Sequence, residues 1–158
     1  MLSMKKKDHF TLNQLREAGE MLLKTGKLDD ADEMFTKAIE GCKRQLGPEH
    51  PETLAAIYKL GLCLELKKKF TEAEVKYKVV LAGRQKVLGA IDKETCNAAY
   101  TLGELNRKLS RFHKAADYYR IAYNGYLECL GKKDIVTIKT KEHLDEMIKN
   151  QSSVCTIC

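Results

Sequence analysis

The 158-residue sequence has no tryptophan, and its only two prolines, Pro48 and Pro51, fall within one short stretch, LGPEHPET at 46–53. Proline breaks helices, so the segments on either side are free to be helical over long distances. No run approaches the ~18 apolar residues of a membrane-spanning helix. The N-terminal MLSMKKKDHF has no apolar run behind its lysines, so no secretory signal is expected. His9, His50, His113 and His143 stand at no metal-ligand spacing from one another or from cysteine. There is no phosphate-binding glycine loop, and the acidic residues fall at the charge-pair spacings of solvated helix faces. No catalytic set, metal or cofactor is therefore expected.

Hydrophobic residues make up 44% of the chain and charged residues 32%, with few β-branched runs. That balance describes a folded, mostly helical protein. The net charge of +6 comes largely from lysine clusters at 5–7, 67–69 and 132–133. These read as solvated turns and a basic tail, with a preference for acidic peptides or an anionic membrane surface as the alternative. No helix carries a dense basic stripe with interleaved aromatics, so nucleic acid is not an expected partner. The six cysteines (42, 63, 96, 129, 155, 158) lie far apart, the first four inside helical patterns. They suit buried, reduced thiols in a cytoplasmic protein better than a disulfide framework.

A step of 42 residues from Leu46-Gly47 lands on Leu88-Gly89, and a second on Leu130-Gly131. Thr11, Thr53, Thr95 and Thr137 share this spacing. So do Gly19/Gly61/Gly103, Ala31/Ala73/Ala115 and Gly41/Gly83/Gly125. The chain is thus a repeat with units 11–52, 53–94 and 95–136, and a fourth unit opens at Thr137. Each unit reads as two helices, as in 53–66 and 71–88 of the second. The threonines stand where an N-cap or first-turn residue is wanted, and Thr11 with Gln14 has capping-box spacing. Gly19, Gly61, Gly103 and the alanine column allow close helix approach, while Phe35, Tyr77 and Tyr119 fill the space between units. The column Gly41/Gly83/Gly125 lies within second helices. It marks either a kink or early end of those helices, or close contact with a neighbouring helix or partner.

The pattern Leu15, Ala18, Gly19, Leu22, Ala31, Phe35, Ala38 resembles the tetratricopeptide repeat. It recurs as Ile57, Leu60, Gly61, Leu64, Ala73, Tyr77, Val80, and as Ala99, Leu102, Gly103, Asn106, Ala115, Tyr119, Ala122. The longer unit, with LGPEHPET at its seam, resembles the repeats of kinesin light chains. The resemblance implies an all-α, right-handed superhelical solenoid of three helix pairs plus a C-terminal capping helix. Its organisation would be a basic N-terminal tail at 1–10, the repeat domain at 11–149 with the capping helix at 137–149, and a flexible tail at 150–158. Leu144, Met147 and Ile148 would cover the last unit. Two signatures of related folds do not carry over. Where kinesin light chains place an asparagine pair, this chain has Arg16-Glu17, Tyr58-Lys59 and Tyr100-Thr101. Where chaperone-tail binders place a lysine and an asparagine, it has Arg16 and Glu20.

In such a solenoid the first helices line a concave face. Helical periodicity puts Asn13, Arg16 and Lys24, then Tyr58 and Leu62, then Asn97, Tyr100, Arg107 and Lys108 on that face. Asparagines there can hold a peptide backbone, the tyrosines and Leu62 an apolar side chain, and the cations its acidic flanks. The expected function is a non-catalytic adaptor or scaffold binding a peptide or helix of another protein. Two alternatives stand beside it. One is self-association through apolar residues such as Leu23 and Leu66. The other is a peripheral membrane protein tethered at Cys155, because CTIC at 155–158 resembles a prenylation box.

Overall fold

The computed structural model describes the backbone of residues 2–155 and the side chains of residues 11–151. Among these, seven helices occur and no strand. They are α1 (Leu2–Lys24), α2 (Leu28–Gln45), α3 (Pro51–Leu66), α4 (Phe70–Leu88), α5 (Lys93–Lys108), α6 (Phe112–Cys129) and α7 (Ile135–Cys155). The three expected helix pairs are α1/α2, α3/α4 and α5/α6. The chain divides into two compact units, residues 1–83 and 84–158, with the division inside α4 rather than at a repeat seam. α1 continues through the segment expected as a tail, and α7 continues past 149.

The same two turns recur in every repeat. Within a pair, the second residue after the first helix is left-handed: Gly26 (φ 76), Lys68 (φ 62) and Ser110 (φ 55). Each first helix closes on an αL cap, as where Lys69 N donates to Leu64 O and Arg111 N to Asn106 O. Between pairs, Gly47 has φ 100 and its N–H donates to Cys42 O. A side chain at that φ would strain the backbone, which accounts for glycine at the seam.

The N-caps are not the threonines. His50 Nδ1 accepts from Glu52 N (3.2 Å), Asp92 Oδ1 from Glu94 N (2.8 Å) and Asp134 Oδ1 from Val136 N (2.8 Å). Each stands three residues before its threonine, with Pro51 in the first turn behind His50. Thr53 instead reaches back from the first turn, its Oγ1 donating to Gly47 O at 2.7 Å, and so pins the helix to the seam. Thr137 does the same toward Tyr126 O (3.3 Å). The capping box expected at Thr11 and Gln14 does not form, because both residues lie inside α1.

The glycine column at 41, 83 and 125 is a contact and not a kink. α2, α4 and α6 run on past it. A Cβ on Gly83 would fall 2.6 Å from Leu54 Cδ2, and one on Gly41 would fall 2.2 Å from Leu12 Cδ2. The second residue of each repeat therefore presses onto the backbone of its own second helix.

In residues 1–83 the core is built from Phe35, Leu54, Ile57, Leu60 and Tyr77, all less than a tenth exposed. In residues 84–158, α7 packs on α6, and Leu144 and Met147 join Ala115, Ala116 and Tyr119 in one cluster. Full burial of a methionine such as Met147 contributes about 2 kcal/mol. Ile148, expected beside them, points outward and is 41% exposed. α7 meets the third repeat through a narrower face than the periodicity implied.

Candidate functional site

The first helices carry the candidate surface, and each unit presents its own part. In residues 1–83 that part lies on α1 and α3. Two ion pairs join these helices: Arg16 Nη1 to Glu52 Oε2 at 3.2 Å, and Lys59 Nζ to Glu20 Oε1 at 3.2 Å. Arg16 is therefore held by a carboxylate of its own chain. Lys24 is exposed at the end of α1, and Asn13 is half-buried one turn before Arg16. On α3, Tyr58 packs its ring against Tyr77 with centroids 5.5 Å apart. Leu62 follows one turn later, half-buried, and Leu66 one turn after that, 54% exposed. Tyr58, Leu62 and Leu66 thus form an apolar stripe at i, i+4, i+8.

Beneath that stripe, Tyr77 is fully buried and donates its hydroxyl to Glu65 Oε2 at 3.0 Å. Burial, together with the charge and hydrogen bond of Glu65, pushes the phenol well above its usual pKa. At the far end of α3, Lys67 bridges Asp29 (2.8 Å) and Asp32 (2.7 Å) of α2. Its hydrogen bonds to both carboxylates raise its pKa, and the bridge fixes the turn that ends the stripe.

In residues 84–158 the matching surface is largely occupied by the protein itself. Asn97 accepts a hydrogen bond from the buried Tyr126 hydroxyl. Tyr100 stacks on His143 of α7, with centroids 5.8 Å apart and the rings inclined by 26°. Its hydroxyl lies 3.1 Å from His143 Nδ1. Tyr119 meets both rings edge-on. Glu104 collects the group: it accepts from the Tyr119 hydroxyl, from Arg107 Nη2 at 2.8 Å, and lies 3.2 Å from His143 Nδ1. Burial works against the Glu104 carboxylate, but the hydrogen bonds from Arg107 and Tyr119 and the charge of Arg107 outweigh it and hold its pKa down. Arg107 is raised chiefly by its bond to Glu104. Lys108, the last residue of α5, is exposed.

Of the residues the periodicity selected, Asn13, Arg16, Lys24, Tyr58 and Leu62 thus lie on α1 and α3 of the first unit. Asn97, Tyr100, Arg107 and Lys108 lie on α5 of the second. Sequence reasoning missed His143. Yet the Glu104–His143 contact repeats Glu20–Lys59 two repeats later, so the 42-residue register carried the signal. His50 is an N-cap. Cys155 is the last residue of α7, and its side chain and residues 156–158 lie outside the described residues. Among the described residues no helix is long and apolar enough to cross a membrane, and no group of three His, Cys, Asp or Glu side chains could hold a metal ion.

Residues 11–86 match the family model described as tetratricopeptide repeat. The fold is that of solved repeat structures. It is similar to BtubC (BKLC) from P. vanneervenii, with a TM-score of 0.83, 17% identity, and 92% of this chain matched to 58% of that one. It is also similar to the nearly identical TPR-like repeats of a candidate kinesin light chain from Podosopora anserina. There the TM-score is 0.77 and the identity 16%, covering 92% of this chain and 69% of that one. The chain therefore spans a little over half the length of BtubC. No curated protein matches it in sequence. The tetratricopeptide-repeat match thus covers a little under half of the chain, and the likeness to the solved structures extends the same all-α repeat fold over 92% of it. Tetratricopeptide repeats of the kind matched at residues 11–86 imply a scaffold for protein–protein interaction.

Proposed function

We propose that the protein is an adaptor that holds an extended peptide of another protein against α1 and α3, the first helices of its first two repeats. The observation that carries this reading is the stripe Tyr58, Leu62 and Leu66 on α3, which leaves Leu66 more than half exposed. Exposed apolar side chains in register on one helix face favour an apolar anchor from a partner. Lys24 on α1 is an exposed cation that favours an acidic residue beside the anchor, whereas Arg16 must first leave Glu52 before it can help.

The test uses a library of fluorescent peptides, each with one leucine or phenylalanine flanked by aspartate and glutamate, read by polarisation. Peptides are expected to bind the wild type and to lose tenfold or more affinity with Leu62→Asp. Lys24→Glu should weaken binding less and flatten its salt dependence. Circular dichroism must show both variants as helical as the wild type. The absence of any binder, or equal binding by Leu62→Asp, overturns the reading.

A further inference from the structure

Cys96 on α5 and Cys129 on α6 meet across the third helix pair. Both are free thiols; Cys96 is 1% exposed, whereas Cys129 is exposed. Cys96 occupies the column of Leu12 and Leu54, the residues that press onto Gly41 and Gly83. A Cβ on Gly125 would fall 2.2 Å from Cys96 Sγ, so this sulfur rests directly on the α6 backbone. Cys129 follows Gly125 by four residues and so lies one turn along the same face of α6. It is near enough to act on the Cys96 thiol both by its charge and as a hydrogen-bond partner. The corresponding pairs are Leu12 with Gln45 and Leu54 with Val87, so the crossing of two sulfurs belongs to the third repeat alone.

We propose that Cys96 and Cys129 form a reversible disulfide that ties α5 to α6 when the protein meets a small-molecule disulfide such as glutathione disulfide. Cys129, at the surface, gives up its proton, and its thiolate attacks one sulfur of the oxidant. The sulfur–sulfur bond of the oxidant breaks, and the first glutathione leaves as a thiolate and takes up a proton. Cys96 then loses its proton and attacks Cys129 Sγ. The mixed disulfide breaks and the second glutathione leaves. Two protein thiols are oxidised, and one small disulfide is reduced to two thiols.

Burial sets the order of these steps. Cys96 is shielded from the oxidant, and burial, reinforced by Cys129, pushes its thiol up to about 12. It cannot begin the exchange, and it resolves the mixed disulfide faster as pH rises. Because α5 also carries Tyr100, Glu104 and Arg107, the bond couples the oxidation state of the surroundings to the candidate surface of this unit.

The experiment uses the full chain with Cys155→Ser and Cys158→Ser, which removes competing thiols outside the described side chains. The folded protein is incubated with glutathione disulfide, quenched with acid, alkylated, and analysed by intact mass and peptide mapping. The expected product has lost two hydrogens and links the peptides of Cys96 and Cys129. It forms faster at pH 8.5 than at pH 7, melts at a higher temperature than the reduced protein, and reverts with dithiothreitol. Cys96→Leu, which restores the residue of the other repeats, should stop at a stable glutathione adduct on Cys129. Cys129→Ser should leave Cys96 unmodified. A lasting adduct on Cys129 when Cys96 is present overturns the proposal. So does cross-linking between chains instead of within one, or a 96–129 link that appears only in denaturant.

Discussion

The Tyr77 ring lies directly against the backbone at Gly61, where a Cβ would fall 2.5 Å from Cε1 and 2.9 Å from Cδ1. The ring cannot easily retreat, because Tyr58 packs on it and Glu65 holds its hydroxyl. Alanine is favoured over glycine in a helix by about 1 kcal/mol, but overpacking a core costs about 1–3 kcal/mol. Gly61→Ala is expected to lose roughly 1–2 kcal/mol in urea denaturation. An unchanged midpoint would mean that the ring shifts freely.

Asn106 stands in the column of Leu22 and Leu64, fully buried. Its Nδ2 donates to Leu102 O, but its Oδ1 has no hydrogen-bond partner. A buried polar atom without a partner costs about 1–3 kcal/mol. Asn106→Leu is expected to stabilise the protein by about 1 kcal/mol or more, read as a higher midpoint with the same slope. A loss of stability would reveal a role for the amide that packing does not account for.

Lys68 and Ser110 hold the left-handed position that Gly26 holds in the first repeat. A side chain in that conformation costs about 1–2 kcal/mol, partly offset by the greater freedom glycine gives the unfolded chain. Lys68→Gly and Ser110→Gly should each raise stability by about 0.5–1 kcal/mol, and Gly26→Ala should lower it. Thermal melts of the three single variants decide this together.

The folded pKa of Glu104 lies below its usual value of 4.5. Folding therefore favours the charged form, and the contribution is fully present above pH 4.5. It is lost as pH falls through the lower folded pKa. The melting temperature of wild type minus that of Glu104→Gln should be positive at pH 7 and shrink progressively below pH 4.5. A difference independent of pH would show that the carboxylate acts through shape alone.

The fold was legible because identity repeats at fixed spacing, and stacked helix pairs need the same small residues at the same places. The caps were harder to see. His50, Asp92 and Asp134 form a column of shared chemistry without shared identity, and the identical threonines nearby drew the eye. Helical period showed which way Tyr100 and Arg107 face, but it cannot show that His143, on another helix, already covers Tyr100. Likewise Arg16 faces the expected side, yet its charge is answered by Glu52. Exposure follows from spacing along one helix, whereas occupancy depends on what another helix brings.

The buried tyrosines have an optical consequence. With no tryptophan in the sequence, the protein's near-ultraviolet emission comes from tyrosine. Tyr77 gives its hydroxyl to Glu65 and Tyr119 gives its own to Glu104. A carboxylate bonded to a phenol opens a proton-transfer route that darkens the excited state. The folded protein should therefore glow dimly and brighten as it unfolds. One quenched phenol lies in residues 1–83 and the other in residues 84–158, so each compact unit carries its own unlabelled reporter of opening.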